Sequence, residues 1–183
     1  MSHPKKPQPV LYFLAVMERE KDFFEGIKDY FTSSLGMVVI KSHTFDFSTF
    51  TSYYEQEMGK PLWKTFYFFE HLKEPDFLVE LKHECYSLER KYTDSEGKRR
   101  INLDPGYLNL AKVVLATFKD YAHRIYLGSS VFAEVTLIYR EGSYQDLPWT
   151  YPDYKEPLHK AYFNKARAYY KERLSKLDTY VDR

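Results

Sequence analysis

Residues 101 to 124, INLDPGYLNLAKVVLATFKDYAHR, place Asn102, Asp104, Lys119, Asp120, His123 and Arg124 around one short apolar segment. Lysine and arginine can hold an anion, while amides and carboxylates can orient it. Histidine ordinarily titrates near neutrality, so His123 is the natural acid or base of the set. Downstream, Glu134 stands in the apolar run VFAEVTLIY, and PWTYPDY brings Trp149 and Tyr151, whose rings can stack on a flat ligand. A carboxylate in so apolar a strand needs a partner if its face is covered, and Arg124 is the natural one. The candidate ligand-binding set is therefore Asn102, Asp104, Lys119, Asp120, His123, Arg124, Glu134, Trp149 and Tyr151. Polar groups concentrated at loop ends point to a small anionic ligand, such as a nucleotide or phosphoester. His123 with Asp104 or Asp120 lacks the close spacing of a metal site, so no metal ligand, catalytic residue or cofactor is assigned.

Local structure offers several of these residues a plainer role. Asp104 before Pro105-Gly106 suits a type II turn, where its carboxylate bonds the turn's own amides. Asn109 suits the N-cap of a short helix from Leu110 to Phe118, and Lys119 would then answer that helix's dipole. A hairpin, HRIYLGSSVFAEVTLIYR, is expected to turn at Gly128-Ser129-Ser130. A three-residue turn sets Glu134 opposite Arg124, and a two-residue turn sets it opposite His123 or Ile125. Alternation along the strand would let only one of His123 and Arg124 join Asn102 and Asp104.

The elements that position these residues follow from periodicity. PVLYFLAVM reads as a strand buried on both faces, and EKDFFEGIKDYFTSSLG as a helix closed by Gly36. MVVIKSHTFDF and KTFYFFEHL read as further strands. The stripe of Phe77, Leu78, Leu81, Cys85, Leu88 and Tyr92 marks an amphipathic helix, and RRINLD a fourth strand. This order, strand-helix-strand-strand-helix-strand, is that of a ferredoxin-like core. A hairpin and a long C-terminal helix from about Leu158 to Tyr180 are added to it. The expectation is one α+β domain, residues 10–183, with a mixed or mainly antiparallel sheet and a flexible tail at 1–9.

Composition narrows the class. Apolar residues at 44% and charged residues at 29% exclude a disordered chain, and the longest apolar run, Val10 to Met17, is far too short for a membrane span. Basic and acidic side chains number 27 and 26, so no global field draws the chain to nucleic acid or anionic lipid, and nucleic acid is disfavoured as a partner. A single cysteine excludes an intrachain disulfide, and no cleavage site follows the first apolar run, so a cytoplasmic location is expected. The 18 Tyr and 14 Phe make an aromatic core and rim the expected consequence. No phosphate loop, dinucleotide fingerprint or zinc-protease helix is present. On the last helix Lys160, Asn164, Arg167 and Lys171 fall within about 60° of one another. With Arg99 and Arg100 they offer a weak RNA-binding alternative. Self-association or a protein partner, through the tyrosines and that helix, is the other.

Four segments, SYYEQEMG (52–59), RRINLDPGYLNLAKVVLATFKDYAHRIYLG (99–128), AEVTLIY (133–139) and PWTYPDY (148–154), together resemble a bacterial family catalogued as domain of unknown function 4416. The resemblance covers nearly the whole chain after the tail. It implies little about activity and supplies no catalytic residue. Some relatives carry a GTP-binding label, for which this chain lacks the phosphate loop.

Overall fold

The apolar run near the start of the chain forms β1 (Val10–Glu18), and every residue of it is buried. Alternation divides its side chains between two cores, with Tyr12, Leu14 and Val16 entering one and Leu11, Phe13 and Ala15 the other. The computed structural model describes residues 3–181, with side chains from 3 to 177. Residues 3–9 run without regular structure, tied by Lys6 to Glu74 (2.8 Å) and by the Pro9 carbonyl, which accepts from the Tyr170 hydroxyl (2.8 Å).

Strands β2 (Val38–Lys41), β3 (Phe45–Asp46), β4 (Trp63–Lys73), β5 (Ile101–Leu108), β6 (Lys112–Thr117), β7 (Ile125–Gly128), β8 (Val131–Arg140) and β9 (Ser143–Asp146) join β1 among the described residues. They make one nine-stranded sheet of order β2-β4-β1-β5-β6-β8-β7, with β3 beside β4 and β9 beside β8. Every pairing is antiparallel. One face is covered by 3-10 turns at Phe24–Gly26 and Lys28–Phe31, by α1 (Thr32–Leu35) and by α3 (Phe77–Lys91). Between them in the chain lies a single turn, α2 (Glu55–Met58). The other face is covered by α4 (Pro152–Lys155) and α5 (Pro157–Val181). There Phe163 meets Phe13, Phe66 and Phe68 edge-on at 5.2 Å. Helix and antiparallel sheet are thus combined in three layers, as an α+β chain should be.

The structure departs from the sequence reading at four places. Leu110 to Phe118 is not a helix but carries β6, because Val113 and Leu115 fill one core while Val114 and Ala116 fill the other. Asn109 consequently caps no helix. Its side chain accepts from Ala111 and Lys112 amides in the tight turn joining β5 to β6, and Lys119 has no helix end to answer. Asp104-Pro105-Gly106 is not a turn, since β5 runs straight through it. Gly106 serves a close approach instead: a Cβ there would lie 2.5 Å from the Val114 carbonyl oxygen and 2.6 Å from the Phe13 ring. The helix expected after β1 breaks into 3-10 turns at Ile27 (φ −125°), and the second strand divides into β2 and β3.

His159 locks the first turn of α5 to this framework. Its Nδ1 donates to the Asp153 carbonyl (2.6 Å), and its ring stacks on Phe45 with centroids 4.0 Å apart. Burial holds the imidazole below its ordinary pKa of 6.5, helped by nearby His43 and opposed by the Asp153 bond and the Asp153 and Glu156 charges. The unfolded imidazole therefore takes up a proton first as the pH falls. The expected outcome is a stability contribution that is full above pH 6.5 and declines below it. Thermal melts across that range should show a shallower pH dependence in His159→Phe than in the wild type.

Candidate functional site

Pro105 lies within β5 and has no N–H to donate. The bonds of neighbouring Leu103 point away from β1, so by alternation Pro105 faces β6 as well. Pairing between β5 and β6 accordingly covers only Gly106–Leu108 against Val113–Leu115. Upstream the sheet forks. Helix α3 satisfies the backbone that β6 leaves open: Glu89 Oε1 accepts the Leu103 amide (2.6 Å), and Lys82 Nζ donates to the Leu103 carbonyl (3.3 Å). Both side chains are buried. Burial pushes the Glu89 carboxyl above its ordinary range, against the pull of Lys82, the Leu103 amide and Arg99.

From this fork a bonded chain runs outward along β5. Arg99 Nη1 donates to Glu89 (3.2 Å) and to Asn102 Oδ1 (2.8 Å). Asn102 Nδ2 donates to Asp104 Oδ2 (2.9 Å), whose other oxygen lies 3.4 Å from Lys82 Nζ. Arg99 also grips Glu57 of α2 through two bonds, which holds the Glu57 carboxyl below its usual range.

A second network centres on Glu134 in β8. Its side chain is 1% exposed, and Oε2 accepts from Arg124 Nε (2.8 Å) and bonds His123 Nε2 (3.0 Å). Arg124 also donates to the Lys119 carbonyl (3.0 Å) and to the Tyr151 hydroxyl (2.7 Å). His123 stacks on Trp149 with centroids 5.2 Å apart and planes at 19°, and Trp149 Nε1 donates to the Val135 carbonyl (2.8 Å). The hairpin explains the register. Ser129 and Ser130 form a two-residue turn at φ 49° and 63°, and a bulge between Tyr126 and Gly128 shifts the ladder by one residue, which sets Arg124 against Glu134. His123 precedes β7, escapes strand alternation and so reaches the same carboxylate.

Lys119 Nζ donates to the Tyr53 hydroxyl (3.0 Å) and lies 4.5 Å from the centre of that ring. Asp120 lies exposed in the same loop. The two networks share no hydrogen bond among the described residues, yet their charges meet at Tyr151. Burial and the carboxylates of Glu134, Asp104 and Asp153 push its phenol up to about 12 against the pull of Arg124. The structure adds participants the sequence reading had not singled out, Tyr53, Glu57, Lys82 and Glu89, and joins to them Arg99, which the sequence offered only as an RNA contact. One signal was present, since Lys82 and Glu89 are two helical turns apart and flank the apolar stripe of α3. Nearby, buried Asp153 faces buried Lys64 at 2.7 Å, and the Tyr154 hydroxyl is buried with no hydrogen-bond partner among the described residues. All four segments that carry the family resemblance contribute side chains here.

This is a face rather than a cavity. Two open depressions lie elsewhere, one of about 370 Å³ at Asp46, Ser48 and Lys60 and one of about 340 Å³ at Lys73, Glu74 and Phe77. Among the described residues no three His, Cys, Asp or Glu side chains are placed to hold a metal ion. Along α5 three of the four ridge residues are engaged in docking, and Lys171 is exposed. Lys160 pairs with Asp146 (3.0 Å), Asn164 bonds Ser143 (3.0 Å), and Arg167 donates to the Leu110 carbonyl (2.9 Å) while lying over the Tyr139 ring at 3.4 Å. Arg99 and Arg100 are likewise paired, with Glu57 and Glu20. No described helix is long and apolar enough to cross a membrane.

Arg124→Met removes the guanidinium and leaves the buried Glu134 carboxyl with only His123 and the Thr136 hydroxyl (3.4 Å) as partners. Urea unfolding should register a loss of about 3–5 kcal/mol. The double variant Arg124→Met with Glu134→Leu should recover most of that loss, because it removes both charges.

No curated protein and no solved structure matches the chain. A family model does match, over residues 8–170, a span that holds both networks and the whole sheet. The chain belongs to the family described as Domain of unknown function (DUF4416).

Proposed function

We propose that the chain binds a small anionic ligand, such as a nucleotide or phosphoester, on the face formed by Lys119, His123, Trp149 and Tyr151. One observation carries the reading. Arg124, its side chain 2% exposed, bonds Glu134, the Lys119 carbonyl and the Tyr151 hydroxyl together, so three separate stretches of chain are tied beneath an exposed surface. Above it stand a cation, Lys119, and rings able to stack: Tyr53, Trp149 and Tyr151 are 68%, 39% and 40% exposed. An exposed layer resting on a buried, bonded one is what a preorganised site requires.

The roles differ from those the sequence suggests. Lys119 holds the anion, whereas Arg124 positions the residues that meet it. Asn102 and Asp104 lie deeper, and the Asp104 charge helps keep the Tyr151 phenol protonated. Glu134 orients His123 through Nε2 and leaves Nδ1 for the ligand. We also infer that β1, β2, β4 and β5 with their two helical crossovers constitute a ferredoxin-like unit, to which β6–β9 and α5 are additions. The antiparallel order β2-β4-β1-β5, with both crossovers on one face, supports that assignment.

Thermal shift with nucleoside phosphates, sugar phosphates and inorganic phosphate tests the site. A ligand at 100 times its Kd adds about 2.7 kcal/mol, a shift of several degrees. Lys119→Ala and Trp149→Ala should each lower that shift at least several-fold, while Lys119→Ala leaves the ligand-free Tm unchanged. Absence of a shift with every class of phosphate, or a shift that survives both substitutions, would overturn the reading.

A further inference from the structure

We propose that β7 is a self-association edge, and that two copies of the chain pair β7 against β7 in an antiparallel, two-fold arrangement. The strand ends the sheet order and pairs only with β8, so its outer N–H and C=O groups have no strand partner among the described residues. Its side chains are unusually bare: Ile125, Tyr126 and Leu127 are 72%, 59% and 44% exposed in succession, and Tyr121 beside them is 54% exposed. Natural sheet edges are guarded by lysine, proline, inward charge or polar residues. The other edges of this sheet follow that rule. β2 buries Ile40 and ends in Lys41, which pairs with Glu25, while β9 is the polar segment SYQD. Among the described edge strands, β7 is the one whose uncharged residues are this exposed in succession.

The character of that margin selects a second copy as the occupant. An antiparallel ladder is its own complement under a two-fold axis, so one strand supplies both sides of the interface. Centred on Tyr126, the pairing sets Ile125 of one copy against Leu127 of the other. Residues 125–132, IYLGSSVF, carry no charge, and the adjacent Arg124 is neutralised by Glu134. A net charge of +1 lets two copies approach without repulsion, whereas a charged peptide would find nothing to pair with along the strand. The four exposed side chains present on the order of 450 Å² per copy, against about 800 Å² in a standard interface. An area below the standard size points to a weak, reversible dimer rather than an obligate one.

Sedimentation velocity on the full chain, from low micromolar to near millimolar, provides the test, together with amide exchange at both ends of the range. The wild type should pass from monomer to dimer, and the β7 amides should exchange more slowly as it does. Ile125→Lys changes an exposed side chain, so its Tm should stay near the wild-type value while dimer affinity falls at least about tenfold. A wild type that stays monomeric throughout overturns the proposal, as does a dimer that Ile125→Lys leaves intact. Should Ile125→Lys not fold, wild-type exchange decides alone, and β7 amides indifferent to concentration overturn it. The ligand-site variant Lys119→Ala should dimerise normally, which separates this edge from the binding face.

Discussion

A strand that must run through a proline sets the terms for this structure. Pro105 cannot donate toward β6, so the ladder between β5 and β6 begins only at Gly106, and the Leu103 amide and carbonyl are left facing a gap inside the protein. A buried amide without an acceptor costs about 1–3 kcal/mol. The sheet does not repair the gap; α3 does, with a carboxylate and an ammonium two turns apart. Glu89 and Lys82 are in turn bonded to further polar and ionisable side chains. Arg99 answers Glu89, Asp104 answers Lys82, and Asn102 links the two.

The polar face therefore grows from a backbone problem at its floor. The second network has the same logic at a different place. Glu134 enters an apolar strand, and its buried carboxylate is satisfied by two residues from the segment just before β7. Each carboxylate is made tolerable by cations whose remaining donors tie down a loop: Arg99 reaches α2, and Arg124 reaches the Lys119 carbonyl and Tyr151. Rigidity in those loops is a by-product of charge burial, and it is what lets an exposed lysine and several rings hold fixed positions.

Much of this architecture is legible in the residues. β1 follows from its unbroken apolar run, α3 from its stripe, α5 from its length, and the β7–β8 hairpin from Gly128-Ser129-Ser130. The segment from Leu110 to Phe118 misleads because its apolar residues satisfy a helical spacing as well as alternation. Only its neighbours β5 and β8, distant in sequence, decide for a strand. Asp104-Pro105-Gly106 has the composition of a turn, yet the proline limits pairing and the glycine admits the Val114 carbonyl. The contact between Glu134 and Arg124 is readable as a charge in an apolar strand, but Gly128 marks only a hairpin turn and not which register its bulge sets. His123 joining the same carboxylate follows from where β7 begins, which alternation alone misplaces.

Amide hydrogen exchange at Leu103 tests the account of the fork most directly. With Glu89 as its acceptor, that amide should exchange as slowly as the central amides of β1 in the wild type. In Glu89→Ala it should accelerate by well over about tenfold relative to those neighbours, the equivalent of more than 1.4 kcal/mol of local protection. A Leu103 amide that exchanges quickly in the wild type, or keeps its full protection in Glu89→Ala, would contradict the account, because the gap would then be open to water or closed by another partner.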